Sequence, residues 1–246
     1  MLNCKKLLAL VVALVFVFSV CGCNKVDENY GLTSELIDAN KKTKEVKVGD
    51  EEKIMSLDTV MSNFFDISEF DEENYADIYL GSDFVLDAKI NGTYFEVPEK
   101  LNNLAVKGWV LSSKNTHDKN STVFSHQAIE LGFENEKGKK LTAQIYNSDN
   151  SGIKLWECNI VKFTIKNDYY KNPKDYIKFD VNGITNSMSI TDIVTTLGTP
   201  SHFYPVSDTE YYLDYFISKK DRRNGITVYV STVDDAITKI EFSYYK

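Results

Sequence analysis

Residues 177–184 read Ile177-Lys178-Phe179-Asp180-Val181-Asn182-Gly183-Ile184, and this stretch decides how the rest of the chain is read. Ile177, Phe179 and Val181 alternate with polar residues, the period of a strand with one buried face. Asn182-Gly183 then offers two positions that tolerate positive φ, the preferred centre of a tight hairpin turn. The same grammar occurs earlier. Phe84, Leu86, Ala88 and Ile90 alternate with Asp83, Val85, Asp87 and Lys89; Asn91-Gly92 follows, and Thr93 to Val97 reads as the return strand.

Outward from each Asn-Gly pair the pattern calls for one short helix and then strands. After the first, Pro98 suits an opening helical turn, Leu101 and Leu104 sit three apart, and Gly108 ends the run. After the second, Ser189 and Asp192 have capping-box spacing, Ile190, Ile193, Val194 and Leu197 form a stripe, and Gly198 with Pro200 stops it. Strands are expected at Val123 to Glu134, Leu141 to Ser148 and Leu155 to Ile165. In the second half they fall at Tyr211/Leu213/Tyr215/Ile217, Ile226/Val228/Val230 and Ile240/Phe242/Tyr244. The expectation is an α+β fold of two small units, each an antiparallel sheet with one short helix, related by a distant duplication. The first unit covers 54–166 and opens with an amphipathic helix on Ile54, Leu57, Val60, Met61 and Phe64. The second covers 176–246, and the polar stretch Asn167 to Asp175 joins them.

The amino terminus speaks to location. Met1 to Asn24 reads MLNCKKLLALVVALVFVFSVCGCN, with Lys5 and Lys6 before an apolar run from Leu7 to Val20 broken only by Ser19. Val20-Cys21-Gly22-Cys23 resembles the bacterial lipobox, which implies a signal peptide over 1–22 and a lipid on Cys23. An uncleaved anchor is the alternative, but the apolar run is shorter than the ~20 residues of a membrane span. Residues 23–53 are charged and weakly apolar and read as a tether; a flexible chain of that length has an end-to-end distance of about 30 Å. The expected place is the extracytoplasmic face of the cell membrane, lipid-anchored.

Removing 22 residues from 246 leaves 224, enough to bury a core without disulfides. With Lys5 and Lys6 gone, 26 basic residues face 36 acidic ones, a net charge of −10. That balance argues against nucleic acid, which is bound by neutralising phosphates. Hydrophobic residues at 43% exclude a disordered composition.

Catalytic chemistry is not legible. Cys158 is the only thiol besides Cys23 in the mature chain, and it stands in LWECNIVKF, where Trp156, Cys158 and Ile160 read as one strand face, so an inert buried thiol is expected. His117, His126 and His202 have no spacing that would bring a metal together, so neither metal nor cofactor is expected. Asn147 to Gly152 is the nearest approach to a calcium loop and lacks the closing glutamate, leaving a turn. Asp66 to Asp77 reads as a solvated acidic loop.

Three surfaces are candidates for binding. Tyr212 and Phe216 fall on one face of their strand and form a stacking platform for sugar or peptide if nothing covers them; His117 sits in the polar loop Ser112 to Ser121. Lys219, Lys220, Arg222 and Arg223 form the only basic cluster. They read either as a solvated turn or as a contact for anionic lipid or wall polymer.

Ile90-Asn91-Gly92, Pro98, Leu101, Leu104, Gly108-Trp109 and Cys158 together resemble a family of exported lipoproteins of unknown function from low-GC Gram-positive bacteria. Gly183-Ile184, Ser187, Asp192, Leu197-Gly198-Thr199-Pro200 and Tyr215 are similar to the helix-then-glycine-proline segment of BamE-type small lipoprotein domains. Val181-Asn182-Gly183 departs from that family, which more often has a glycine pair there. The resemblance implies a non-enzymatic binding or scaffolding role in the cell envelope, with an envelope protein or wall polymer as partner. The alternatives are a solute-capturing module for sugar or peptide and, with least support, an envelope hydrolase.

Overall fold

The computed structural model describes Val46–Lys47, Ile54–Met55, residues 61–174 and residues 176–245, all within one compact unit, Lys44–Lys246. The signal peptide, Cys23 and most of the tether lie outside the described residues, as do 56–60 of the expected first helix.

In chain order, β1 (Val46–Lys47) pairs with β2 (Ile54–Met55), so Ile54 stands in a strand rather than opening a helix. One helical turn does form at 61–65, where the amides of Phe64 and Phe65 reach back to the carbonyl of Met61. Then come β3 (Ala88–Ile90), β4 (Thr93–Phe95), β5 (Glu99–Lys100), α1 (Asn103–Val106), β6 (Trp109–Leu111), β7 (Thr122–Val123), β8 (Ala128–Asn135), β9 (Lys140–Tyr146), β10 (Ile153–Lys154) and β11 (Asn159–Lys166). The second half holds β12 (Phe179–Val181), β13 (Ile184–Thr185), α2 (Ile190–Leu197), β14 (His202–Pro205), β15 (Glu210–Ser218), β16 (Asp221–Ser231) and β17 (Ala236–Ser243).

Both Asn-Gly pairs form the expected turns, with φ of +52° and +82° at Asn91-Gly92 and +49° and +87° at Asn182-Gly183. The capping box also forms: Ser189 Oγ accepts from Asp192 N at 3.1 Å, and Ser189 N donates to Asp192 Oδ2 at 3.0 Å. Gly198 at φ +84° ends α2.

What does not hold is the α+β class with two separate units. Strand makes up 42% of the structure and helix 10%, so the fold is mainly β. The two hairpins do not stay in their own halves: β3 pairs antiparallel with β12, giving one four-stranded sheet in the order β13-β12-β3-β4. Each turn asparagine bonds to the other hairpin, Asn91 exchanging amide and side-chain bonds with Lys178, and Asn182 with Asp87. The last strands of the halves pair too, β11 with β17, joining two meanders into one antiparallel sheet of order β14-β15-β16-β17-β11-β9-β8-β6, with β5 added beside β11.

The physical reason is apolar area. A two-stranded hairpin cannot shelter Ala88, Ile90 and Phe95, or Phe179, Val181 and Ile184, by itself. Paired, the hairpins offer one apolar face to the inner face of the large sheet. Phe95 meets Phe163 of β11 edge-on at 5.4 Å, and Phe163 meets Phe242 of β17 at 5.3 Å, inside one continuous core. Each fully buried phenylalanine contributes about 1.5–3 kcal/mol. Buried Asn167 and Asn186 tie the start of the joint to the second half: Asn167 Nδ2 donates to the carbonyls of Asn186 and Ile237, and Asn186 Nδ2 to Asn167 Oδ1 and to the carbonyl of Ile177.

Candidate binding face

The strands of the large sheet alternate strictly enough to give it two different faces. In β15 the core side takes Tyr211, Leu213, Tyr215 and Ile217, as their spacing predicts, and Tyr212, Asp214 and Phe216 point the other way. In β16 Ile226, Val228 and Val230 go inward, leaving Thr227 and Tyr229; in β17 Lys239, Glu241 and Ser243 are left. Gly225 is required where β16 passes Phe216: at φ +150° a Cβ would stand 2.1 Å from the carbonyl oxygen of Tyr215.

Register sorts this outer face into rows across the strands. One runs Tyr204, Tyr212, Tyr229, Lys239, Lys166. The next runs His202, Asp214, Thr227, Glu241, Thr164, Thr142. The third runs Phe216, Gly225, Ser243, Lys162, Gln144 and Glu130. Side chains directly opposite on neighbouring strands stand about 4.5–5.5 Å apart at Cβ, so residues of one row are neighbours, with the third row interrupted at Gly225.

At the β14 edge the acidic stretch 66–77 is not simply a solvated loop. It straps the sheet: Phe203 N donates to Asn74 O and Ala76 N to Ser201 O, and just beyond the stretch Leu80 N donates to Phe216 O. Tyr75 stacks on the imidazole of His202 at 4.0 Å with rings 13° apart, and the guanidinium of Arg222 lies 4.0 Å from the Tyr75 ring centre. Beneath the strap His202 Nδ1 bonds Asp214 Oδ2 at 3.0 Å, and Thr227 Oγ1 donates to Asp214 Oδ1 at 2.6 Å; His202 and Asp214 are both buried.

Chemically this trio is a satisfied polar relay. The hydroxyl of Thr227 is on the carboxylate, not on the imidazole, so the nucleophile–base–orienter order of an acyl-transfer site is not formed. Among the described residues no three of His, Cys, Asp and Glu stand where they would hold a metal ion. The Asn147 loop is built as a turn: the buried amide donates to the carbonyls of Val123, Phe124 and Ser151. Burial holds the phenols of Tyr212 and Tyr229 above their ordinary pKa, so both remain hydrogen-bond donors across the neutral range. Burial also opposes ionisation of Glu241, yet Lys162 and Lys239 outweigh it and hold that carboxyl below its usual value.

Tyr212 and Phe216 therefore share a face, and it carries more than the sequence signalled. Their rings are not a free platform: Tyr212 stacks with Tyr204 at 5.4 Å and 21° and meets Tyr229 at 5.5 Å, while Phe216 lies parallel to His202 at 6.5 Å. His117 is not brought to them. It follows β6, at the opposite edge of the sheet. Of the basic cluster, only Lys219 and Lys220 form the turn; Arg222 and Arg223 stand in β16. Lys219 pairs with Asp77 at 2.9 Å, and Arg223 pairs with Asp221 through Nε and Nη2. Cys158 is buried as expected, with its thiol pushed up to about 11 by burial, but Trp156 is exposed because a 3-10 turn at Leu155–Glu157 precedes the strand.

Tyr75 and His202 are the residues sequence reasoning missed. The β14 alternation, with Phe203 inward, places His202 and Tyr204 outward, and counting the hairpin about Asp208 would have set His202 opposite Asp214. Tyr75 had no such signal, because a strap crossing 127 residues of sequence leaves no periodicity. Comparisons with protein-family models, curated proteins and solved structures returned no match to this chain.

Proposed function

We propose that this chain is a membrane-anchored extracytoplasmic lipoprotein, held by a lipid on Cys23, with a non-enzymatic binding role in the cell envelope. The observation that supports binding is the outer face of the large sheet, where Tyr212, Tyr229, Thr227, Lys239 and Glu241 keep part of their surface in solvent instead of being sealed under an apolar layer. A face of aromatic rims and satisfied polar groups suits recognition. The lipobox-like tetrad supports the anchor, since a diacyl cysteine holds a protein to a bilayer where one chain would not.

The test is fractionation of cells making the full chain or its Cys23→Ala variant. The wild-type chain stays with membranes through a high-salt wash, at the mass of a cleaved and acylated product, and the variant loses that product. Identical fractionation and mass for the two would refute the anchor.

A further inference from the structure

Three Asn-Gly pairs stand in this chain, Asn91-Gly92, Asn182-Gly183 and, inside β16, Asn224-Gly225. We infer that Asn91-Gly92 is a site of spontaneous covalent modification, at which Asn91 loses its side-chain amide through a succinimide, whereas the fold protects Asn182 and Asn224.

The chemistry needs only water. The Gly92 amide nitrogen gives up its proton to solvent and attacks Asn91 Cγ. The bond from Cγ to Nδ2 breaks, and ammonia leaves with a proton taken from solvent. Water then opens the five-membered ring: opening at Cγ gives aspartate, and opening at the main-chain carbonyl carbon gives isoaspartate. Glycine favours the closure because no Cβ shields its nitrogen.

Access separates the three pairs first. Asn91 and Gly92 are both exposed, and beyond the neighbours of Gly92 in the chain no described atom comes within 4 Å of where its Cβ would stand. At Gly183 the same position lies 3.3 Å from Thr196 Cγ2, and Gly225 is buried against the main chain of Tyr215.

Hydrogen bonding separates them again. Asn91 Oδ1 accepts from Lys178 N and Asn182 Oδ1 from Asp87 N, each at 3.1 Å. Such a donor takes up charge as the carbonyl is attacked, and it is common to both turns. The difference lies in the groups that must move. Asn182 Nδ2 donates to Val85 O at 2.8 Å, and Gly183 N donates to Asp180 Oδ1 at 3.1 Å. Among the described residues Asn91 Nδ2 and Gly92 N have no such partner. Lys89 precedes Gly92 by three residues, as Asp180 precedes Gly183, and a lysine has no acceptor to offer. Asn224 is held at both ends of its amide by the main chain of Tyr245, whose carbonyl accepts from Nδ2 at 3.1 Å. Each bond that must open first slows ring closure by roughly five- to tenfold.

The product falls where the hairpins cross. Isoaspartate routes the main chain through Cβ and Cγ, lengthening it at the residue whose amide donates to Lys178 O at 2.7 Å.

The test incubates the full chain in heavy-oxygen water at mildly alkaline pH, folded and in guanidinium, and follows each Asn-Gly peptide by mass spectrometry. In the folded chain Asn91 takes up heavy oxygen as a mixture of isoaspartate and aspartate, and Asn182 and Asn224 lag it by about tenfold or more. In guanidinium the three convert at similar rates. Asp180→Ala, verified as folded by its melting transition, quickens Asn182 and leaves Asn91 as it was. The inference is overturned by an Asn91 that stays intact in the folded chain, by an Asn182 or Asn224 that keeps pace with it, or by aspartate without isoaspartate. A lag that persists in guanidinium, or an Asp180→Ala chain in which Asn182 is no faster, would overturn it equally.

Discussion

Replacing Asn186 with alanine removes a side chain that bonds to two other segments, at Ile177–Phe179 and at Asn167. Its Oδ1 accepts from Phe179 N at 2.9 Å, and its Nδ2 donates to Ile177 O at 2.9 Å and to Asn167 Oδ1 at 3.0 Å. Asn186 and Phe179 are both buried, so water does not readily replace these bonds. Leaving the Phe179 amide and the Ile177 carbonyl without this partner costs about 1–3 kcal/mol each, or about 2–6 kcal/mol together. That is a large part of the ~5–15 kcal/mol that holds a domain folded. At about 2–4 °C per kcal/mol for a chain of this size, the melting temperature falls by roughly 4–24 °C. The assay is urea and thermal unfolding of the mature chain followed by far-ultraviolet and near-ultraviolet circular dichroism. Because the hairpins pair with each other and β11 pairs with β17, both probes report one transition that moves as a whole. A loss under about 1 kcal/mol would refute the dehydrated network. Two transitions of which only one shifts would refute the shared core.

Cys158 gives a second check: with the thiol raised to about 11 by burial, only about one molecule in a thousand is thiolate at pH 8. Iodoacetamide therefore labels Cys158 slowly in folded chain lacking Cys23 and quickly in guanidinium; equal rates would contradict the burial. Glu241 predicts an acid limb. Its folded pKa lies below the ordinary 4.5, so its contribution to stability is complete above about pH 4.5 and is lost as pH falls through the folded value. Glu241→Gln therefore lowers stability at pH 7 and flattens the fall between pH 5 and 3 in urea titrations, whereas parallel curves would remove Lys162 and Lys239 as the cause.

Local chemistry made much of this chain readable. Asn91-Gly92 and Asn182-Gly183 turn as two residues with positive φ must, and Ser189 with Asp192 caps α2 because both partners lie within one helical turn. The alternation in Tyr211 to Ile217 divides core from outer face without reference to anything distant, which is why Tyr212 and Phe216 were legible as candidates. The sequence by itself determined turns, caps, strand faces and the lipobox-like tetrad, since each is settled by neighbours a few residues apart. Partnership across the fold was not legible. Whether an apolar hairpin face meets its own half or the other depends on which arrangement buries more area, and that contest decided for β3 with β12 and β11 with β17. The same holds for the outer face: Tyr75 reaches His202, and Asp214 meets both His202 and Thr227, only through strand order and register. Those are properties of the assembled sheet, and no local spacing records them.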